Sequence, residues 1–246
     1  MKWPIIMFFL LLSGCSRQQH LSKHFVILVD TSASIDARAE EECAHSILKL
    51  VEKMDRGDQV TVIPITGDAD VQSTGRVLRF QKPVSRTAYD GDLVLFSKQV
   101  QKSLADFQSW AISHPAGKTD IFGGIRIAAE EFTTMRDDNN RFLVIFSDFI
   151  EDDGIVDFKS DTRLLTSRTA AKYARQEART AFVSGISAPV SMGLLRSKEL
   201  GKLNKGRRDA IKRFWMEYLK SMGMESHYVS DGMGLLSNGE FDLPTK

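Results

Sequence analysis

Apolar residues along the chain form two kinds of segment: continuous runs, and runs with helical spacing. The stretch 25–29 is apolar throughout and rich in β-branched and aromatic side chains, which is typical of a strand buried on both faces of a parallel sheet. In other segments apolar residues recur every three or four positions, which predicts helices at 36–54, 92–112, 121–134, 166–179 and 207–222. Further strands are predicted at 59–65, 76–80, 181–187 and 226–230. Strands and helices then alternate, as in a doubly wound α/β sheet.

Three oxygen-bearing side chains follow the first predicted strand at alternate positions: Asp30, Ser32 and Ser34. Ligands bind at the carboxyl ends of the strands in open α/β sheets, and a tight loop there can turn a carboxylate and two hydroxyls toward one point. Hard divalent cations prefer such oxygen ligands. By itself the pattern has a second explanation, because Asp and Ser also cap helices by accepting hydrogen bonds from backbone N–H groups.

The pentapeptide 30–34 resembles the D-x-S-x-S motif of von Willebrand factor A (VWA) domains, whose metal-ion-dependent adhesion site also uses a later Thr and a later Asp. Residues 116–125 are similar to the family's G-x-T loop at the start of a helix, and they contain Thr119. Residues 141–148 are similar to its fourth strand and end in Asp148. One departure is Phe149, which stands where the family commonly has Gly.

The resemblance implies an α/β fold: a doubly wound, mainly parallel six-stranded sheet flanked by helices, with the run 76–80 as one antiparallel edge strand. It also implies a metal centre. Ser32, Ser34 and Thr119 would hold Mg2+ through their oxygens, with Asp30 and Asp148 bound directly or through water, and Mn2+ or Ca2+ are alternatives for the ion. Because Mg2+ takes about six oxygens in octahedral geometry, a carboxylate from a protein partner would complete the coordination. The expected function is non-catalytic, metal-dependent protein binding or adhesion.

The first 15 residues have the pattern of a processed targeting segment. The apolar run 3–12 follows one basic residue and is too short to span a bilayer, which predicts a signal peptide over 1–14. The sequence Leu-Ser-Gly-Cys at 12–15 resembles the bacterial lipobox, and this resemblance implies lipidation and acylation of Cys15. A secreted precursor without a lipid would more often show an Ala-x-Ala-like cleavage site.

The expected organisation is a lipidated N-terminus and short tether at 15–23, a VWA-like domain at 24–235 and a C-terminal tail at 236–246. The lipid would anchor the protein in the membrane of a bacterial cell envelope. No Asp follows Cys15, which favours the outer membrane, on its periplasmic face, over the inner membrane.

Charge and cysteine content restrict the function classes further. The chain has 33 Lys and Arg against 32 Asp and Glu, and cleavage after residue 14 would remove Lys2 and leave a neutral protein. Neutrality argues against a general polyanion binder, so no nucleic-acid partner is expected. Of the two cysteines, Cys43 lies on the apolar stripe of the helix at 36–54, and we expect a buried thiol.

Two charged regions have more than one explanation. The loop after Asp148 carries four acidic residues: Glu151, Asp152, Asp153 and Asp157. They would hold a second cation, shape a ligand-facing surface or only keep the loop soluble, and the last interpretation is the favoured one. Residues 159–222 contain 15 Lys and Arg against 5 Asp and Glu. This region either faces anionic lipid or an acidic partner or forms solvated helix surface, which is the simpler explanation.

An enzymatic function has less support in the sequence. The segment Gly117-Lys118-Thr119 fails as a phosphate-binding loop because residue 112 is Ile and a helix precedes it. The nucleophilic Asp of haloacid dehalogenases is followed two residues later by a second Asp. Asp30 does not fit this pattern, because Ser32 occupies that position. The five histidines lack metal-ligand spacing, and no Gly-x-Ser-x-Gly motif occurs. The alternative function is a metal-dependent phosphohydrolase on a similar α/β sheet, which assays with a panel of phosphoesters would test.

Overall fold

A computed structural model of the chain describes residues 22–67, 76–84, 90–134, 140–181 and 188–229. The strands are β1 (Lys23–Asp30), β2 (Gln59–Ile65), β3 (Leu78–Gln81), β4 (Asn140–Ser147), β5 (Val190–Leu194) and β6 (Ser226–Val229). Within the described residues they form one sheet with the order β3-β2-β1-β4-β5-β6. Its pairs are parallel except at the edge, where β3 runs antiparallel to β2. The predicted α/β fold class is confirmed.

Helices cover both faces of the sheet and divide the core in two. The helices are α1 (Ala37–Lys53), α2 (Asp90–Ser113), α3 (Ile121–Thr133), α4 (Ser167–Thr180), α5 (Lys198–Lys202) and α6 (Lys205–Ser221). Successive side chains of β1 pack alternately into the two cores. Val26 and Leu28 pack with residues of α3, α4 and α6, whereas Ile27 packs with residues of α1 and α2. This double burial explains why the first strand is apolar without interruption.

The thiol of Cys43 in α1 is 3% exposed within the α1 and α2 core, so the prediction of a buried thiol is confirmed. Burial raises the pKa of this thiol far above its ordinary value, which keeps it in the unreactive protonated form.

The fifth strand of the described sheet lies later in the chain than the predicted range 181–187. Ala181 is the C-cap of α4, residues 182–187 lie outside the described residues, and the strand that pairs with β4 is β5 at 190–194. The sequence of β5, Val-Ser-Met-Gly-Leu, has few residues that favour strands by themselves. It is a strand because β4 and β6 pair with it on both sides and because this context outweighs local propensity. The short α5 and a 3-10 turn at Thr162–Leu164 were not predicted.

The ends of the chain bear on targeting, and several predictions fall there. The predicted signal peptide, Cys15, most of the tether, the last residues of the predicted domain and the tail at 236–246 lie outside the described residues. Within the described ranges, no helix combines the length and the apolar composition that crossing a bilayer requires.

His24 lies near the start of β1, at the opposite end of the strand from Asp30. Its burial predicts how the stability of the fold depends on pH. Its Nε2 lies 2.9 Å from Thr61 Oγ1, and burial lowers its pKa from 6.5 to about 4, against a smaller upward influence of the Glu131 carboxylate. The unfolded chain therefore takes up this proton at higher pH than the folded chain. The stability that the neutral ring contributes is complete above pH 6.5 and is lost as the pH falls toward 4.

We expect the free energy of unfolding of the parent protein to fall by about 1 to 2 kcal/mol more than that of His24→Gln between pH 7 and pH 5. Urea unfolding of both proteins at the two pH values measures the difference. Equal losses in parent and variant would show that the buried ring does not control this step.

Candidate metal centre

The pairing of β1 with β4 brings two segments that are distant in sequence to one edge of the sheet. Val29 lies opposite Phe146 in the parallel register, so Asp30 and Ser147 end their strands side by side. The Ser147 hydroxyl donates a 2.6 Å hydrogen bond to Asp30 Oδ2, and Asp148 follows directly. The contribution of Ser147 was missed from the sequence because it depends on this register.

Asp30 is the most enclosed of the five predicted ligands. The residue is 1% exposed. While Oδ2 accepts the bond from Ser147, Oδ1 accepts the Ser32 N–H at 2.9 Å. This local bond turns the chain directly after the strand. The carboxylate is therefore fixed on both oxygens by the protein itself.

The two serine hydroxyls connect Asp30 to the second carboxylate. Ser32 Oγ lies 3.0 Å from Ser34 Oγ, and the Ser34 hydroxyl donates to Asp148 Oδ2 at 3.3 Å. Asp148 Oδ1 in turn accepts the Ile150 N–H at 2.9 Å. The structure thus brings four of the five sequence-predicted residues into one hydrogen-bonded set.

Thr119, the fifth predicted residue, reaches the same place through backbone pairing of loops. The Ala33 N–H donates to the Ala116 carbonyl at 3.0 Å, which joins the first loop to the loop of Thr119. Thr119 and Asp152 exchange two backbone hydrogen bonds of 2.9 Å, which join that loop to the segment after β4. Thr119 then lines one pocket of about 260 Å³ together with Ser32 and Ser34.

The two carboxylates of the site are buried close to each other. Burial first, and then the charge of Asp30, raises the pKa of Asp148 from 3.8 to about 7, although bonds from Ser197, Ile150 and Ser34 oppose the shift. Burial also raises the pKa of Asp30, against the bonds from Ser147 and Ser32. Among the described residues, no lysine or arginine forms an ion pair with either carboxylate. Two carboxylates and three hydroxyls without a basic partner suit a hard divalent cation.

Phe149 has the left-handed backbone conformation that glycine adopts without strain. Its φ is +62°, the only positive φ of a non-glycine residue in the described part of the chain. The conformation is held from both sides, because the Phe149 N–H donates to Ser147 Oγ at 2.9 Å and its carbonyl accepts the Trp215 Nε1–H at 2.9 Å. The loop therefore keeps a turn that glycine favours, at a cost of about 1 to 3 kcal/mol.

Lysines surround the opening of the pocket. Lys118, Lys159 and Lys198 are among its lining residues. Lys159 pairs with Asp152 at 2.8 Å, whereas no carboxylate among the described residues forms an ion pair with Lys118 or Lys198. Glu199, which also lines the pocket, is paired with Lys202 at 2.6 Å. The uncompensated charge at the opening is therefore positive.

No protein-family model matches the chain, and no curated protein matches it. Solved structures to which it is similar include a von Willebrand factor type A protein from Catenulispora acidiphila, with 13% sequence identity and a TM-score of 0.46 over 88% of this chain and 40% of that one. A manganese-loaded TRAP protein of Plasmodium vivax has 10% identity and a TM-score of 0.42 over 87% and 71% of the two chains. The pilus adhesin SpaC of Lactobacillus rhamnosus GG has 12% identity and a TM-score of 0.49 over 88% and 29%.

These are remote similarities. Their TM-scores are all below 0.5 and their identities do not exceed 13%. The chain spans less than half of the Catenulispora protein and less than a third of SpaC. The fold class is assigned from the strand order of this chain.

Proposed function

We propose that this protein is a lipid-anchored, non-catalytic binding module in which a divalent cation connects the chain to an acidic side chain of a protein partner. The observation that carries the proposal is the hydrogen-bonded set from Asp30 to Asp148 beside a pocket with a positive opening. Ser32, Ser34 and Thr119 would bind the ion through their hydroxyls, and the two aspartates would bind it directly or through water.

The donor set indicates which ion fits. The five side chains offer oxygen atoms only, without the sulfur or imidazole ligands that favour zinc or copper. Mg2+ commonly uses one or two carboxylates and keeps other positions for water or an external ligand, so it is the ion proposed here, with Mn2+ and Ca2+ as alternatives. When bound, it would supply a positive centre that an external carboxylate can ligate.

The pocket opening supports an acidic partner. Lys118 and Lys198 are exposed there and would attract a carboxylate through space before it reaches the ion. Charges at the rim of an interface act mainly on the association rate and on the choice of partner. They would favour an acidic segment over a basic or neutral one.

The position of Asp30 favours binding over the phosphohydrolase alternative. A nucleophilic carboxylate must reach the phosphorus atom of its substrate, yet Asp30 is 1% exposed and both of its oxygens accept hydrogen bonds from the chain. The groups nearer the pocket are the hydroxyls of Ser32, Ser34 and Thr119. Among the described residues, no histidine lines the pocket to activate a hydroxyl or water.

The test is a comparison of partner binding with Mg2+ and with chelator, in the parent protein and in Thr119→Ala. The proposal expects tight binding only in the parent protein with Mg2+.

The membrane anchor is a separate part of the proposal and is carried by the Leu-Ser-Gly-Cys segment. We expect Cys15→Ser to abolish lipid attachment, because the thioether forms on the cysteine sulfur. The variant should then remain as an uncleaved precursor or leave the membrane fraction. Metabolic labelling with a fatty acid, followed by flotation of membranes, measures both effects. A variant that still matures and floats with the membranes would contradict lipid anchoring.

A further inference from the structure

A second group of carboxylates lies next to the candidate metal centre and shares no side chain with it. One oxygen each from Asp120, Glu151 and Asp153 lies within 4.8 Å of the others. Asp120 is the N-cap of α3, and the other two residues belong to the loop after β4. Such a spacing places all three oxygens within about 2.8 Å of one point, close to the 2.3–2.6 Å that Ca2+ prefers.

Glu151 distinguishes this group from an ordinary acidic loop. The residue is 0% exposed, so it does not serve solubility. Its Oε2 accepts the Ile121 N–H at 3.0 Å, but its Oε1 is buried and has no hydrogen-bond partner among the described residues. The Phe122 N–H also acts on this carboxyl, but it forms no hydrogen bond with Oε1. A buried unsatisfied carboxyl oxygen costs several kcal/mol.

The side-chain charges that act most strongly on Glu151 are negative. Burial first, and then the charges of Asp120 and Asp153, raises the pKa of Glu151 well above its ordinary range. Among the described residues, no lysine or arginine forms an ion pair with Glu151 or Asp153. A bound cation would satisfy Oε1 and offset the repulsion among the three carboxylates together.

The other two carboxylates are fixed in position by the backbone. Asp120 Oδ1 accepts the Gly123 N–H at 2.7 Å. Asp153 Oδ1 accepts the N–H groups of Ile155 and Val156, both at 2.7 Å. Side chains held in this way lose little conformational entropy when they bind an ion.

We propose that Asp120, Glu151 and Asp153 form a calcium site that joins the N-terminus of α3 to the loop after β4. Ca2+ takes six to eight oxygens and accepts several protein carboxylates, whereas Mg2+ usually binds one or two carboxylates and keeps its waters. The same two segments exchange the backbone bonds of Thr119 with Asp152. Calcium bound here would therefore hold the loop of Thr119 in place without entering the first centre.

The experiment measures Ca2+ binding to the full-length chain, purified in detergent, by isothermal titration calorimetry in the presence of Mg2+. Terbium luminescence gives a second readout, because Trp215 and Tyr218 pack against Phe122, close to the site, and can sensitise a bound lanthanide. The variants are Glu151→Gln and Asp153→Asn, which keep the shape of each side chain and remove its charge. Asp157→Asn is the matched control, since it removes a charge from the same loop outside the group.

We expect the parent protein and Asp157→Asn to bind one Ca2+ at this site, and we expect Glu151→Gln and Asp153→Asn to weaken that binding at least tenfold. Asp30→Ala should retain it, which separates this site from the first centre. If Glu151→Gln does not fold, the half-buried Asp153 still provides the test. The inference is overturned if the parent binds no Ca2+, or if both charge-removing variants bind it as the parent does. One such contrary result would have an alternative explanation. If the parent protein does not respond to Ca2+ and Glu151→Gln melts at the same or a higher temperature, Glu151 is a protonated carboxyl bonded to water.

Discussion

Saturating Mg2+ is expected to raise the free energy of unfolding of the full-length protein, and Asp30→Ala is expected to remove this gain. An ion that binds only the folded chain contributes about 2.7 kcal/mol when its concentration is about 100 times Kd. For a chain of this length the gain corresponds to a rise in melting temperature of about 5 to 10 °C. Asp30 is buried beneath the loop that carries both serines, so its loss removes one ligand and the anchor of two others.

The measurement is thermal and urea unfolding with and without Mg2+, with EGTA present so that calcium does not contribute. Asp58→Ala is a matched control. Asp58 is also fully buried, and it accepts the backbone N–H groups of Lys23 and Asp55 in the loop before β2. It should lose stability yet keep the full response to Mg2+. A parent protein whose melting temperature does not change with Mg2+ or Mn2+ would remove the basis for the proposed metal centre.

The part of the candidate site that lies at the ends of β1 and β4 could be predicted from the sequence. Asp30 and Asp148 each come directly after a run of buried residues, and β1 and β4 are parallel neighbours, so the two carboxylates had to meet at one edge. Ser32 and Ser34 follow from the same loop. The motif therefore indicated the residues before the structure gave their distances.

Other parts of the site depend on contacts that no local pattern indicates. Ser147 reaches Asp30 only because of the register between two strands that are over 100 residues apart. Ser197, in the segment after β5, lowers the pKa of Asp148, and the sequence indicated no strand at 190–194 because these residues have weak strand propensity. The acidic loop was interpreted as a solvated surface, whereas Glu151 turned out to be fully buried. Composition gives the number of charges in a loop but not the direction in which each one points.

Phe149 adopts a backbone conformation that favours glycine, and its buried side chain compensates for the strain. In the sequence, a large side chain stands where glycine is common in the VWA family. In the structure the left-handed turn remains, and the phenyl group is 2% exposed in the core. Burial of an aromatic side chain contributes about 2 to 3 kcal/mol, which is enough to offset the backbone strain. The position of Asp148 is therefore coupled to packing around Trp215, on α6 behind the site.

The largest effect on function is expected from Thr119→Ala, which should weaken partner binding about 100-fold while the fold stays intact. The hydroxyl is one of few proposed direct ligands, and a loss of about 2.7 kcal/mol corresponds to that factor. The backbone bonds of Thr119 with Asp152 do not involve the side chain, so the loop should keep its shape. Thr119→Ser is the matched control, because it keeps the hydroxyl and should bind nearly as well as the parent protein.

The measurement uses a partner captured by cross-linking from the cell envelope, with its affinity determined for parent, Thr119→Ala and Thr119→Ser in Mg2+ and in excess EDTA. Thermal melts of the same samples separate a bridging ion from a structural one. A bridging ion predicts that Thr119→Ala loses binding, that its stability in EDTA equals that of the parent protein in EDTA, and that a free acidic peptide competes. A purely structural ion predicts that binding and stability fall together and that the peptide does not compete. Undiminished binding in folded Thr119→Ala, or in excess EDTA, would rule out the metal bridge and make the basic region at 159–222 the next surface to test.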